Sequence, residues 1–217
     1  MAADKLSARE IGSGVDLRRY VIISMLGTLA AALAAPAAAS ASASITLQND
    51  DTFNPRRATL DLGDGSFDWE WGPGGIGTVE RHNVVQDLEL FDSGEPVRSD
   101  PDGFSVTASA GSYSYFCEIH VGMVGEVRVR PVTVASRASG GVRVGWASQD
   151  TTTGTRYDVR YKAKRKWRSW KKRTSKVGGK FGRNGKPVKL KRKVKLQARS
   201  RAGKRRSDWS PTLVLEP

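Results

Sequence analysis

Residues 112–123 read SYSYFCEIHVGM, a strand-like run that leads directly into a short loop. Side chains alternate along the run, so that Tyr115 and Cys117 share one face, as is typical of a strand with one buried side. The loop then carries Cys117, His120 and Met123 in a C-x2-H-x2-M spacing. This stretch predicts a β-structure that presents sulfur and imidazole groups where a strand ends.

The residues around this stretch show the same period of two. Phe67, Trp69 and Trp71 share one face of the run SFDWEW, and Val127 and Val129 alternate with charged residues. Turn signals rich in glycine, proline and aspartate separate these runs. Several short strands at this spacing predict an antiparallel sandwich or barrel, and no helical stretch is evident.

Charge divides the 217-residue chain into contrasting parts. The formal net charge is +14, but residues 44–132 carry −9 and residues 133–217 carry +22. A sign change of this size between adjacent stretches predicts two folding units with a boundary near residue 132. Hydrophobic residues make up 38% of the chain, which excludes a wholly disordered protein.

Residues 1–43 have the features of a cleaved export signal. Two arginines precede an uncharged stretch whose apolar part, residues 21–35, has the length of a signal-peptide core. Pro36 and overlapping A-x-A cleavage motifs in residues 37–43 follow. An apolar part this short disfavours a membrane-spanning helix, and an uncleaved anchor is the alternative. We expect an exported protein in the periplasm, at the cell surface or outside the cell.

The scarce residue types fall in one constellation. Without the signal the chain keeps one cysteine, two histidines and one methionine, namely Cys117, His82, His120 and Met123. A single cysteine excludes an internal disulfide and a multi-cysteine zinc site, and two histidines exclude a site with many imidazole ligands. A lone cysteine is usually a small buried hydrophobe, but an unpaired cysteine is unexpected in an exported protein.

A thiolate, two imidazoles and a thioether suit a copper ion that changes oxidation state. The thiolate and imidazoles form a trigonal plane that Cu(I) and Cu(II) both tolerate, and the thioether makes a weak axial contact. A zinc site accepts cysteine and histidine but rarely uses methionine. We therefore expect one copper ion per chain, bound by His82, Cys117, His120 and Met123.

On these residues, the first unit resembles a plastocyanin/azurin-type cupredoxin. The short ligand loop is most similar to the amicyanin branch, and residues 53–55, 63–65 and 115–117 also match the family. The resemblance implies a Greek-key β-sandwich that carries single electrons through a type 1 copper held by the same four residues. It also implies a hydrogen bond from the backbone N–H of Asn83 to the cysteine sulfur. Such a protein is an electron carrier and not an enzyme, and it needs a redox partner protein.

Glu118 departs from the family's pattern, because relatives have a small polar residue after the cysteine. A carboxylate near the ion would favour Cu(II), and a solvent-facing loop residue is the alternative. Val121 replaces the common proline of relatives. The many acidic residues of this unit either solubilise it, steer a basic partner or pair with the second unit.

The second unit is similar to a fibronectin type III module. Its predicted strands lie at residues 142–146, 157–161, 188–190 and 194–200, and Trp209 precedes the last strand. The resemblance implies a second β-sandwich that acts as a spacer or binding unit and carries no chemistry of its own. The chain is thus predicted to be all-β, with two successive sandwiches.

Lysine and arginine are concentrated in two runs of this unit, residues 162–176 and 186–195. Basic residues beside aromatic ones can bind phosphates and stack on rings. Export argues against nucleic acid, so we expect an anionic cell-wall polymer, an acidic membrane surface or the acidic first unit as the target. A solvated basic face with core tryptophans is the alternative. The residues expected to contact the anionic surface are Lys164, Arg165, Lys166, Trp167, Arg168, Trp170, Lys171, Lys172 and Arg173.

Together these features predict an exported, monomeric copper protein that carries electrons and is held near an anionic surface. A copper-buffering protein without a redox partner and a surface adhesion module are the alternatives. An oxidase or nitrite reductase is disfavoured, because no histidines remain to build a second, substrate-binding copper site.

Overall fold

The fold is described from a computed structural model. The described residues are 41–134, 142–162, 164–181 and 192–217. Most of the predicted export signal and the predicted strand at residues 188–190 lie outside them. In these four stretches the regular structure is β, apart from one 3₁₀ turn at Pro73–Gly75. The predicted all-β class, with two successive sandwiches, is confirmed.

The first sandwich contains eight strands in two four-stranded sheets. Its strands are β1 (Ala43–Leu47), β2 (Phe53–Asn54), β3 (Arg57–Asp61), β4 (Phe67–Trp71), β5 (Val85–Gln86), β6 (Phe104–Val106), β7 (Gly111–Phe116) and β8 (Val124–Arg130). One sheet has the order β2-β1-β4-β6 and the other β3-β8-β7-β5. The pairs β1–β4 and β3–β8 are parallel, and the other neighbours are antiparallel.

The core of the first sandwich follows from the alternation seen in the sequence. Phe67, Trp69 and Trp71 of β4 are all buried, while the residues between them are half-buried. From the opposite sheet, Tyr115 packs its ring edge-to-face against Trp69, with 5.3 Å between ring centroids. Burial of aromatic side chains from both sheets contributes the apolar area that stabilises the sandwich.

The first strand begins where the predicted export signal ends. Ala43 is the first residue of β1, and its N–H donates to the Ser66 carbonyl at 3.0 Å. Cleavage after the A-x-A motifs that end at Ala39 or Ala41 would leave this strand complete. None of the helices in the described stretches has the length and apolar character needed to cross a membrane.

Within the described stretches, the second sandwich contains the remaining eight strands. These are β9 (Val132–Val134), β10 (Arg143–Gly145), β11 (Arg156–Lys162), β12 (Arg168–Thr174), β13 (Gly178–Lys180), β14 (Val194–Ala202), β15 (Arg205–Arg206) and β16 (Leu213–Leu215). One sheet has the order β13-β10-β9, and the other has the order β12-β11-β14-β15 with β16 beside β14. Its core contains the fully buried side chains of Trp146 and Leu196.

The two sandwiches pack against each other through main-chain hydrogen bonds. Ser112 N–H donates to the Asp208 carbonyl at 3.2 Å, and Asp208 N–H donates back to the Ser112 carbonyl at 3.0 Å. Ala110 N–H donates to the Trp146 carbonyl at 2.8 Å. The start of β7 in the first sandwich is thus hydrogen-bonded to the second sandwich, and the two units carry opposite net charge.

A buried cluster of hydroxyl groups lies at this junction. The Tyr113 hydroxyl donates to the Ser109 carbonyl at 2.8 Å and lies 3.2 Å from the hydroxyls of Thr153 and Ser200. Tyr113, Thr153 and Ser200 are all fully buried. Burial raises the pKa of Tyr113, so the phenol stays neutral and available as a donor.

We expect Tyr113→Phe to lower the free energy of unfolding by about 1–3 kcal/mol, because buried partners lose a hydrogen bond without gaining water. Urea denaturation followed by tryptophan fluorescence measures the change. Tyr161→Phe, which removes a half-buried hydroxyl away from the junction, is the control. Equal midpoints for the two variants would contradict a stabilising role for the hydroxyl cluster.

Candidate metal centre

The loop between β7 and β8 holds its own shape through backbone hydrogen bonds. Cys117 N–H donates to the Met123 carbonyl at 3.1 Å, and Met123 N–H donates to the His120 carbonyl at 3.2 Å. Gly122 lies between them with φ +88°, a left-handed conformation that side chains disfavour. The strand pairing therefore fixes both ends of a seven-residue loop that carries three of the predicted ligands.

His82 lies 35 residues before Cys117 in the sequence. Hydrogen bonds to its main chain hold it in place. Its N–H donates to the Val97 carbonyl at 2.8 Å, and its carbonyl accepts from Val97 N–H at 2.9 Å. The Trp71 indole N–H donates to the same carbonyl at 3.0 Å. These bonds place the imidazole, which is fully buried, against the loop after β7.

The side chains of His82, Cys117 and His120 meet at one point. The Cys117 Sγ lies 3.9 Å from Nδ1 of His82 and 3.6 Å from Nδ1 of His120. The two Nδ1 atoms are 3.0 Å apart. Among the described residues, these three form a group whose donor atoms all lie within 4.8 Å of one another.

These distances fit a shared ion. Metal–thiolate and metal–imidazole bonds of about 2.3 and 2.0 Å in a trigonal plane separate sulfur from nitrogen by roughly 3.7 Å. The observed sulfur–nitrogen distances of 3.6 and 3.9 Å bracket that value. The two Nδ1 atoms are 3.0 Å apart, which is less than the roughly 3.5 Å expected for angles of 120° at the ion. The angle nitrogen–ion–nitrogen would therefore be narrower than 120°.

Met123, the fourth predicted ligand, lies at the end of the same loop. Its side chain is buried within the core cluster that also contains Cys117. Coordination by its sulfur stays a prediction. His120 differs from the other predicted ligands in accessibility, since 17% of its side chain is exposed and one edge of the site reaches the surface.

The electrostatics of the site favour a neutral imidazole at His82. Burial lowers the pKa of His82, the neighbouring His120 lowers it further, and the carboxylates of Asp51 and Glu80 act in the opposite direction. A neutral ring keeps a lone pair for a metal. Asp51 lies beside both rings, with its Oδ1 3.9 Å from Nε2 of His82 and 3.6 Å from Nε2 of His120. The sequence alone gives Asp51 no role at the metal centre.

Hydrogen bonds between Asn83 and Glu118 connect the segment around His82 with the ligand loop. The buried Asn83 side chain donates from Nδ2 to Glu118 Oε2 at 2.7 Å and accepts from Glu118 N–H at 3.0 Å. Asn83 Nδ2 also donates to the Gly94 carbonyl at 3.0 Å. Glu118 is exposed, yet it forms part of this bracing contact. The hydrogen bond expected from the Asn83 backbone to the sulfur stays a prediction.

No protein-family model matches the chain, and no curated protein matches its sequence. Two solved structures show limited similarity. A Cu-containing nitrite reductase (NirK) from Thermus scotoductus SA-01 is 22% identical with a TM-score of 0.30, covering 41% of this chain and 22% of its own. The chicken CNTN1 FN1–FN3 domains are 12% identical with a TM-score of 0.27, covering 70% of this chain and 60% of their own. The chain thus spans less than two thirds of either structure, and at these scores the similarity carries no argument.

Arginine and tryptophan side chains stack on one face of the second sandwich. The Arg160 guanidinium lies between the Trp167 and Trp209 rings, 4.5 and 4.0 Å from their centroids. Arg199 covers the Trp209 ring at 4.3 Å. The stack borders a cavity of about 480 Å³, here called the basic groove. Its lining residues are Asp158, Arg160, Trp167, Arg168, Ser169, Lys172, Arg173, Arg199, Arg201 and Trp209.

The residues predicted to bind anions separate into three groups. The basic groove is lined by Trp167, Arg168, Lys172 and Arg173. A neighbouring cavity is lined by Lys164, Arg165 and Lys166, together with Arg168. Trp170 packs against the buried core instead, with its ring 5.5 Å from Trp146 and 5.1 Å from Phe181, and Lys171 lies over it at 5.6 Å. The groove is also lined by four residues outside the two basic runs from which the binding residues are predicted, namely Arg160, Arg199, Arg201 and Trp209.

Asp158 is the acidic group of the basic groove. Its Oδ2 accepts from Arg199 at 2.9 Å and Arg201 at 2.6 Å, and its Oδ1 accepts from Arg173 N–H at 3.0 Å. Burial acts to raise the pKa of Asp158, but the Arg173 N–H and the two guanidinium groups outweigh burial and hold the pKa below its ordinary value.

We expect Asp158→Asn to lower the free energy of unfolding by about 1–3 kcal/mol at neutral pH, because two half-buried guanidinium groups lose their carboxylate. A carboxyl group whose pKa is lowered by folding stabilises the fold at pH values above its unfolded-state pKa of about 3.9. This contribution is lost as the pH falls below that value. The gap between wild type and variant should therefore shrink on acidification. Urea midpoints at neutral and acidic pH measure it, with the exposed Asp150→Asn as control. A gap independent of pH would contradict the ion-pair explanation.

Proposed function

We propose that this chain is a cupredoxin whose type 1 copper carries single electrons. The observation that supports it is the approach of one thiol and two imidazole nitrogens within 3.9 Å at the buried end of a β-sandwich. When bound by His82, Cys117, His120 and Met123, copper would supply a couple between Cu(I) and Cu(II). We propose one such ion per chain.

The chain's own residues suit rapid one-electron transfer. His82 is held by three main-chain contacts and Cys117 by the loop hydrogen bonds, so the donors are positioned before a metal binds. Burial of both side chains keeps water away from the donor atoms. A site that changes little between oxidation states needs little reorganisation on electron transfer.

A redox partner would contact the surface around His120. The residues on either side of this partly exposed ligand are Ile119, 47% exposed, and Val121, fully exposed. Apolar side chains beside an accessible ligand offer a contact through which a partner protein can approach the metal. We propose a monomeric electron carrier rather than an enzyme, exported from the cytoplasm.

We expect the copper-loaded protein to show an intense visible band and a narrow hyperfine splitting in its EPR spectrum, because a thiolate binds Cu(II) directly. Both features should disappear in Cys117→Ser, which replaces the soft sulfur with a hard oxygen. Ser114→Ala, in the solvent-facing part of β7, is the control and should retain both.

Voltammetry of the same protein separates electron transfer from copper buffering. Rapid, reversible reduction supports the carrier, whereas tight Cu(I) binding with slow electron exchange would favour the buffering alternative. A Cu(II) complex of the wild-type protein that lacks the intense visible band would overturn the type 1 assignment.

We further propose that the basic groove holds the protein at an anionic surface, either a cell-wall polymer or an acidic lipid layer. Arg168, Lys172 and Arg173 are exposed at the groove. The carboxylate of Asp158 is already shared by Arg199 and Arg201. The exposed cations therefore remain available to phosphate or carboxylate groups.

We expect Arg168→Gln/Lys172→Gln to weaken binding several-fold at low salt, because two phosphate contacts are removed. Vesicles of acidic phospholipid, neutral vesicles and a soluble polyphosphate serve as probes in a sedimentation assay. Arg143→Gln/Lys180→Gln removes the same charge from a strand pair of the opposite sheet and is the control. Equal weakening by both variants would show that net charge alone, not the groove, drives binding.

A further inference from the structure

We propose that Asp51 is a positioning residue whose single carboxylate serves both histidine ligands of the metal centre. This inference rests on the proposed copper site and assigns a role to a residue outside the ligand set. Asp51 would fix the orientation of both imidazoles and stabilise Cu(II) relative to Cu(I).

The geometry places one oxygen against two rings. Asp51 Oδ1 lies 3.6 Å from Nε2 of His120 and 3.9 Å from Nε2 of His82. Both Asp51 Oδ1 and His82 Nε2 are buried atoms that lack a hydrogen-bond partner within the stretches described. A buried polar atom without a partner is costly, so two such atoms side by side indicate an interaction that metal binding completes.

The chain holds Asp51 in this position. The residue lies in the turn between β1 and β2 with φ 57°, and its N–H donates to the Gln48 carbonyl at 3.3 Å. The neighbouring Asn49 side chain accepts from Val79 N–H at 2.9 Å, which ties the turn to the loop before His82. The turn that carries the carboxylate is thus anchored at two points.

The chemistry follows from the two nitrogens of each ring. In both histidines Nδ1 faces Cys117 Sγ and the shared point, while Nε2 faces Asp51. A ring that binds a metal through Nδ1 carries its hydrogen on Nε2, where a carboxylate can accept it. This acceptor orients the ring and makes Nδ1 more basic. A more basic imidazole stabilises the more highly charged ion, so Asp51 lowers the reduction potential.

The test compares Asp51→Asn with Asp50→Asn, which removes the same charge from the adjacent exposed residue. We expect Asp51→Asn to weaken Cu(II) binding about 10-fold or more, in the range seen for loss of a carboxylate behind a ligating histidine. At unchanged Cu(I) affinity, a 10-fold loss raises the reduction potential by about 59 mV. Asp50→Asn should leave both quantities near wild type.

Three further measurements keep the inference open to refutation. Thermal unfolding of the metal-free proteins should be the same for Asp51→Asn and wild type, and Asp51→Glu, which keeps the charge, should recover part of the lost affinity. Zn²⁺ titration of the metal-free proteins repeats the comparison without redox chemistry and should show the same order of affinities.

Equal affinities and potentials in the two Asn variants would overturn the role of Asp51 while leaving the copper site intact. A wild-type protein that binds neither Cu²⁺ nor Zn²⁺ would overturn both proposals.

Discussion

The close approach of three polar donor atoms in one small, largely buried space is the constraint on which the metal centre depends. The sulfur of Cys117 and the Nδ1 atoms of His82 and His120 lie together at the end of an aromatic core, where unpaired polar groups are costly. Main-chain hydrogen bonds at Val97 and Met123 hold the backbone segments that carry these donors. A shared cation would satisfy all three donors at once, so the fold keeps a site ready for an ion.

The junction between the sandwiches makes the second unit part of the same body. Reciprocal hydrogen bonds between Ser112 and Asp208 continue from β7, the strand that also leads into the ligand loop. Arg205 forms an ion pair with Glu89 across the junction, so the opposite charges of the units meet there. Because β7 takes part in the junction and leads into the ligand loop, one strand joins the candidate metal centre to the second unit.

The tryptophans of the basic runs show what alternation along a strand leaves undecided. Trp167 and Trp170 look equivalent in sequence, since both stand among lysines and arginines. Trp170 nevertheless packs on Trp146 and Phe181, whereas Trp167 stacks on Arg160 at the groove. A period of two separates two faces of a strand but does not say which face meets the core. That choice depends on the partner strand and its register.

Alternation along the chain and the rarity of cysteine, histidine and methionine are local properties, so the amino-acid sequence alone established the all-β class and predicted which residues serve as donors. It could not determine the role of Asp51, which is 31 residues from His82 and resembles any other turn acid. Only in the tertiary structure does this carboxylate lie beside Nε2 of both imidazoles, on the side of each ring away from Cys117. Contacts between residues far apart in the chain arise from strand pairing and burial, and no local pattern records them.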